Sequence, residues 1–311
     1  MSNAFIALAV PGLLLFSAIF ILLFGFSSYY TKSRGYYITL VTLFITFCIS
    51  VNGVGEIHSA EIFPHIFNVM IVYDTFSATF ISLFLLGGFL TLAIAKSFID
   101  KTNFFIHESF VLFLFSLFGM VVLSMANELL TAFIALEIAS MAVYVLVGLN
   151  RESLKASEAF VKYLLLGSFS ASFYLLGMML IYAQVKSTNL NVIAEYIFNH
   201  DLDSQLLIVA GGMLIIITIM FKIAAVPLGA WVLDLYESDS LPITAYMAPV
   251  CKITVLAYTI GVLLRHNYLI QLAFDLLVII VYVITLNVVS FVAIVTYSFK
   301  SSVAHPLVVH R

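Results

Sequence analysis

Apolar runs long enough to cross a ~30 Å hydrocarbon core follow one another through this chain with only short polar breaks, and that leaves few folds open to it. The runs number about nine and cover roughly 4–27, 36–55, 76–96, 109–126, 128–149, 158–184, 205–231, 241–264 and 272–298. In hydrocarbon every backbone donor and acceptor must be paired inside the protein, so segments of this length are read as helices. The expected fold class is an all-α polytopic membrane protein with about nine transmembrane helices. Composition agrees, with 63% of residues hydrophobic and 9% charged, far more apolar surface than a soluble core can use. The stretch Ala4 to Phe26 lacks a basic leading region and a small-residue cleavage site, so it is read as the first span, not a removable signal.

Between the spans little is left over. Ala126-Asn127-Glu128 joins the fourth and fifth spans so tightly that they must be antiparallel neighbours. The mixed segment Glu56 to Asp74 contains Phe67 to Tyr73, a pattern compatible with a short strand at the membrane surface. No basic patch is present, which excludes nucleic acid as an expected partner. Cys48 and Cys251 both fall in apolar segments without a spacing partner, so neither a disulfide nor a metal site is expected.

The basic residues set the expected orientation. Lys32, Arg34, Lys96, Lys101, Arg151, Lys155, Lys300 and Arg311 fall on one face, and only Lys186 and Arg265 on the other. The first face is then cytoplasmic and the N-terminus outside. Of the 13 lysines and arginines, three remain: Lys162, Lys222 and Lys252, all inside expected spans.

A lysine at mid-membrane costs about 2.5–3.5 kcal/mol even on the gentlest insertion scale. Lys222 follows the apolar run Leu206 to Met220, and Pro227 comes five residues later. Proline removes a donor and clashes with the preceding turn, so the seventh helix should kink or break there. A charge beside a broken helix points to a polar cavity, and snorkelling to the interface is the alternative. Glu137 is central in the fifth span, and Lys252 in the eighth; a static buried salt bridge is the alternative for both. Lys162 lies four residues from Glu158, so a local helix pair or snorkelling stands beside any role in transport. Burial favours the neutral form of lysine and of glutamate alike, which lets such groups exchange protons where their solvated counterparts do not. Four of them in consecutive spans, with water between, describe a proton relay.

Three motifs add a resemblance. Glu137 to Arg151 (Glu-Ile-Ala-Ser-Met-Ala-Val-Tyr-Val-Leu-Val-Gly-Leu-Asn-Arg) resembles the fifth-helix motif of subunit N of respiratory complex I, the proton-pumping NADH–quinone oxidoreductase. Ala159 to Ser168, with Lys162-Tyr163 and Gly167-Ser168, resembles the sixth helix of that family. Phe221 to Trp231, with Asp234-Leu235-Tyr236-Glu237 and Pro242-Ile243-Thr244-Ala245 after it, resembles the broken seventh helix and the loop beyond. The Asp-x-Tyr after the tryptophan favours subunit N over its larger antiporter-like sisters. Together the motifs lie within roughly residues 67 to 265.

The resemblance implies an antiporter-like membrane-arm subunit that relays and translocates protons, coupled to electron transfer from NADH to quinone in other subunits. Glu137, Lys162, Lys222 and Lys252 take the family's relay positions, Pro227 its helix break, and Asp234 and His305 supporting places. No motif for NADH or flavin occurs and two cysteines cannot hold an iron–sulfur cluster, so this chain is expected to carry no cofactor; NADH, FMN, clusters and quinone belong to other subunits. The expected partners are other membrane-arm subunits and the bilayer, and the expected location is the inner (plasma) membrane of a bacterium, ahead of a mitochondrial or plastid membrane. Two departures touch the broken-helix loop: Gly229 stands where the family has histidine, and Leu233 where it has proline. Family members continue for about five further helices, so the first antiporter-like repeat is expected here with the second largely missing. The expected division is 1–107 for three N-terminal helices and the surface segment, 108–264 for the antiporter-like five-helix unit, and 265–311 for the ninth helix and the C-terminal end. A sodium/proton antiporter subunit and a non-pumping structural element are the other readings.

Overall fold

The structure, a computed structural model, describes residues 3–25, 32–56, 70–101, 107–149, 153–200, 206–225, 228–229, 231–232, 235–236 and 241–265. The expected ninth span lies outside them, as do Pro227, Asp234 and His305. The helices are α1 (Asn3–Gly25), α2 (Lys32–Glu56), α3 (Thr75–Lys101), α4 (His107–Met125), α5 (Leu129–Val147), α6 (Leu154–Val185), α7 (Leu190–Asn199) and α8 (Leu206–Lys222). They are followed by α9 (Leu241–Tyr246), a π-helical turn (Met247–Cys251) and α10 (Lys252–Arg265), which run on as one rod. Among the described residues seven helical runs are long and apolar enough to cross a membrane, and α8 is a shorter apolar helix. Each of the first eight expected spans has its helix. The described residues are helical nearly throughout.

Helix α4 is the axis of the bundle. It packs on α1, α3, α5 and α10, and most of its side chains are buried. Gly119 lets it come close to α5: a methyl group there would meet the backbone nitrogen of Ala139 at 2.6 Å. In hydrocarbon no hydrophobic force drives helices together, so close backbone approach at small residues supplies the packing energy.

Of the expected surface strand only residues 70–73 are described, and they form a strap of isolated pairings. Val72 donates to the Met125 carbonyl and Asn127 to that of Met70, both at 2.8 Å. On the other side of the same turn, Leu129 donates to Thr188 O at 3.0 Å and Leu190 to Asn127 O at 3.1 Å. Only two isolated antiparallel bridges form among the described residues, Ile71 with Ala126 and Glu128 with Asn189. The turn between α4 and α5 is too short to offer a strand more than this.

Helix α7 is absent from the expected spans. Its Asn189 cap accepts from the Asn191 amide at 2.9 Å, and Leu190, Ile193, Ala194 and Ile197 form one buried stripe. At 10 residues it is about 15 Å long, too short to cross a membrane, and it packs against α6.

The break after α8 begins earlier than the proline predicts. Ala225 donates to Met220 O at 2.8 Å and Ala224 to Phe221 O at 3.0 Å, while Ala224 sits in the left-handed region at φ 59°. Those two bonds make a Schellman motif with alanine where glycine is usual. Lys222 is thus the last helical residue, before the chain reaches Pro227. The ring of a proline disfavours helix in the residue before it, which is consistent with so early a stop.

Candidate functional site

Glu137, Ser140 and Tyr144 are spaced i, i+3 and i+7 on α5, which puts them on one stripe of the helix. Lys222 reaches that stripe from the end of α8. Its Nζ donates to Ser140 Oγ at 2.7 Å, to Tyr144 OH at 2.9 Å and to Glu137 Oε1 at 3.5 Å. An ammonium has three donors, and here three oxygens meet them. The lysine side chain is 5% exposed and the glutamate 18%. Lys222 also stands in the last turn of α8, the end of a helix whose dipole favours a cation.

Aromatic rings hold this cradle. Tyr144 meets Tyr163 of α6 edge-on, with centroids 4.4 Å apart, and Lys222 Nζ lies 5.4 Å from the Tyr144 centroid. Tyr163 stacks on Trp231 at 4.6 Å, and Trp231 on Phe221 at 5.1 Å. The segment beyond the helix break is thereby tied to α6 and back to the residue preceding Lys222. The Trp231 indole nitrogen is buried without a hydrogen-bond partner.

The four expected relay residues do not form one cluster. Glu137 and Lys222 come together. Lys162 turns away from them and pairs with Glu158 at 2.7 Å, on a face where the two side chains are 47% and 65% exposed. Of the expected alternatives for Lys162, the local helix pair is the one observed, and the inward residue at that level of α6 is its neighbour Tyr163. Lys252 starts α10 directly after the π-helical turn, with its Nζ 5.4 Å from the Tyr236 centroid. That turn contains Pro249, and its wider winding accommodates a residue with no amide proton to give. Cys48 and Cys251 are both free, on α2 and in the π-helical turn. The residues that charge alone did not single out are Ser140 and Tyr144. Their helical spacing from Glu137 was the available signal.

Comparison with known proteins follows the same lines. Residues 126–310 match a family model described as NADH:quinone oxidoreductase/Mrp antiporter, TM. Over 282 residues the chain is 32% identical to NADH-quinone oxidoreductase subunit N of Trichlorobacter lovleyi, covering 90% of this chain and 57% of that one. It is 30% identical to the subunit of the same name from Ruthia magnifica over 307 residues, covering 97% of this chain and 62% of the relative. The chain therefore spans little more than half the length of these curated relatives. Among solved structures, respiratory complex I from Thermus thermophilus with bound Aureothin superposes with a TM-score of 0.66 at 23% identity, over 81% of this chain and 52% of that chain. The Mrp complex from Dietzia gives 0.69 at 18% identity, over 85% of this chain and 49% of that one. At such identities these superpositions establish the fold alone.

Proposed function

Because the chain belongs to the NADH:quinone oxidoreductase/Mrp antiporter family of membrane subunits, we propose that it is a membrane-arm subunit of an NADH–quinone oxidoreductase that relays and translocates protons. The buried pair of Lys222 and Glu137 at the open end of α8 is the observation that carries this reading. At 3.5 Å the gross attraction is about 5 kcal/mol at an effective dielectric of ~20, and desolvating both charges offsets much of it. Such a pair has two states open to it. In one, both groups are ionised. In the other an N–H bond of Lys222 breaks, an O–H bond forms on Glu137, and both charges vanish. A charge arriving nearby, at Lys252 for example, tips the balance between them. This is the property required of a relay station.

The redox chemistry belongs, in this reading, to other subunits that carry NADH, FMN, iron–sulfur clusters and quinone. The chain takes part in the enzyme as a translocating subunit. Its neighbours are further membrane-arm subunits in the inner membrane of a bacterium, and its N-terminus lies outside. The subunit N relatives, at 30–32% identity, favour an oxidoreductase over a sodium/proton antiporter assembly.

The test has two parts. The full chain, tagged and purified from its native membrane, should bring peripheral redox subunits with it; purification as a free protein, or with antiporter subunits only, counts against the reading. Glu137→Gln should then leave the complex assembled and lower the protons translocated per electron. An unchanged ratio removes Glu137 from the relay.

A further inference from the structure

Lys222 must be held in two protonation states if it exchanges a proton, and its three partners are not equally able to do that. The Glu137 carboxylate, at 3.5 Å, is a partner for the cation. The Ser140 hydroxyl accepts from Lys222 but its own proton is committed to the Leu136 carbonyl at 2.7 Å. Tyr144 differs from both. A phenol can accept one hydrogen bond and donate another, and it turns from one role to the other by rotating a single O–H bond.

The surroundings permit that rotation and little else. Tyr144 is among the largest fully buried side chains of the protein. Its ring packs edge-on against Tyr163, on which Trp231 in turn stacks at 4.6 Å. Gly167 of α6 faces the hydroxyl itself, and a methyl group there would collide with it. Only glycine leaves the oxygen its place 2.9 Å from Lys222 Nζ.

We propose that Tyr144 is the positioning residue that holds Lys222 in both protonation states, accepting a hydrogen bond from the ammonium and donating one to the neutral amine. The inference rests on the reading of Lys222 as a proton-exchanging group. Once Glu137 has passed the proton on and is again a carboxylate, it has no donor to offer, and a neutral amine in an apolar setting with no donor facing its lone pair would be poorly accommodated. Tyr144 supplies that donor without a change in side-chain position. The proton leaving Lys222 still goes to Glu137, and Tyr144 neither gains nor loses one.

The experiment uses the full chain in its assembled complex, in native membranes. Tyr144→Phe keeps the ring and removes the hydroxyl; Gly167→Ala keeps the tyrosine and pushes its hydroxyl from Lys222. Each should lower proton translocation by about tenfold, the factor that goes with one hydrogen bond to a charged group, and change its pH profile while electron transfer continues. Infrared difference spectra of turnover with isotope-labelled tyrosine should show a C–OH band that shifts as acceptor becomes donor, and that band should vanish in Tyr144→Phe. Wild-type translocation with a wild-type pH profile in Tyr144→Phe overturns the proposal. If Tyr144→Phe does not assemble, Gly167→Ala and the wild-type spectrum decide: normal translocation in the first or a static tyrosine band in the second overturns it. Lys222→Met separates the two levels. Loss there with a normal Tyr144→Phe rejects Tyr144 alone, whereas normal translocation in Lys222→Met rejects the reading of the site.

Discussion

Gly177 of α6 and Gly211 of α8 pack backbone to backbone, so close that a methyl group on either would lie 2.5 Å from the carbonyl oxygen of the other. Two turns nearer to the site, the Thr218 hydroxyl donates to the Ser170 carbonyl at 2.7 Å and fastens the same pair of helices again. These contacts fix the rotation of α8, and thereby aim Lys222 at the polar stripe of α5.

Replacing Gly211 by leucine should therefore force the helices apart, at a cost of about 1–3 kcal/mol for overpacking. The thermal midpoint of the purified protein should fall. Gly12 of α1 is the control, since a side chain there would meet nothing within 4 Å. Gly12→Leu should change the stability by no more than about 0.5 kcal/mol. Equal losses in the two variants would show that the α6–α8 crossing is not the tight point the geometry describes.

Tyr73, in the strap before α3, carries a buried hydroxyl without a hydrogen-bond partner, pressed toward Gly53 and Ile6. Removing it in Tyr73→Phe should stabilise the protein by about 1 kcal/mol, because an unsatisfied buried donor costs that order of free energy. Burial pushes this phenol from its ordinary 10.0 up to about 12. The folded state then keeps its proton where the unfolded chain has lost it. Stability should be unaffected below about pH 10 and fall as the pH rises from there toward 12. Tyr73→Phe should make that alkaline loss smaller, measured as the denaturation midpoint against pH.

Most of the fold was legible in the sequence because length and hydropathy alone decide what spans a membrane. Seven of the first eight expected spans are long apolar helices for that reason, and the other is the shorter α8. Helix α7 was not legible, since ten residues between two spans read as a connection; its buried i, i+3, i+4, i+7 stripe of Leu190, Ile193, Ala194 and Ile197 is helical in period but short. At the site, charge singled out Glu137 and Lys222 separately, and the structure places them 3.5 Å apart. Charge could not tell that Lys162 faces away, because Lys162 and Tyr163 are adjacent and only packing decides which of the two points inward. Nor did charge single out Ser140 and Tyr144, neutral residues whose importance lies in standing where an ammonium ends.

The outward pair of Glu158 and Lys162 gives a prediction of small effect. An exposed pair of this kind contributes on the order of 0–1 kcal/mol, so Lys162→Met should reduce proton translocation by no more than about fivefold. Measured beside Lys222→Met in the same assembled complex, it should be clearly the milder change. Equal and complete loss of translocation in both would restore Lys162 to the relay.

Lys222 itself allows the sharpest distinction between relay and scaffold. Lys222→Met removes the charge at similar volume and leaves Glu137 buried without its cation, a loss that either role predicts. Lys222→Arg separates them. A guanidinium can still pair with Glu137, and it does not give up its proton under working conditions. A scaffold lysine should tolerate arginine, with assembly and translocation both near wild type. A relay lysine should lose translocation in both variants, while the arginine form assembles normally. The measurement is proton uptake by reconstituted vesicles, normalised to assembled complex and to electron flux. Wild-type pumping by Lys222→Arg would make the pair of Lys222 and Glu137 a static ion pair, and the relay would have to be sought elsewhere in the bundle.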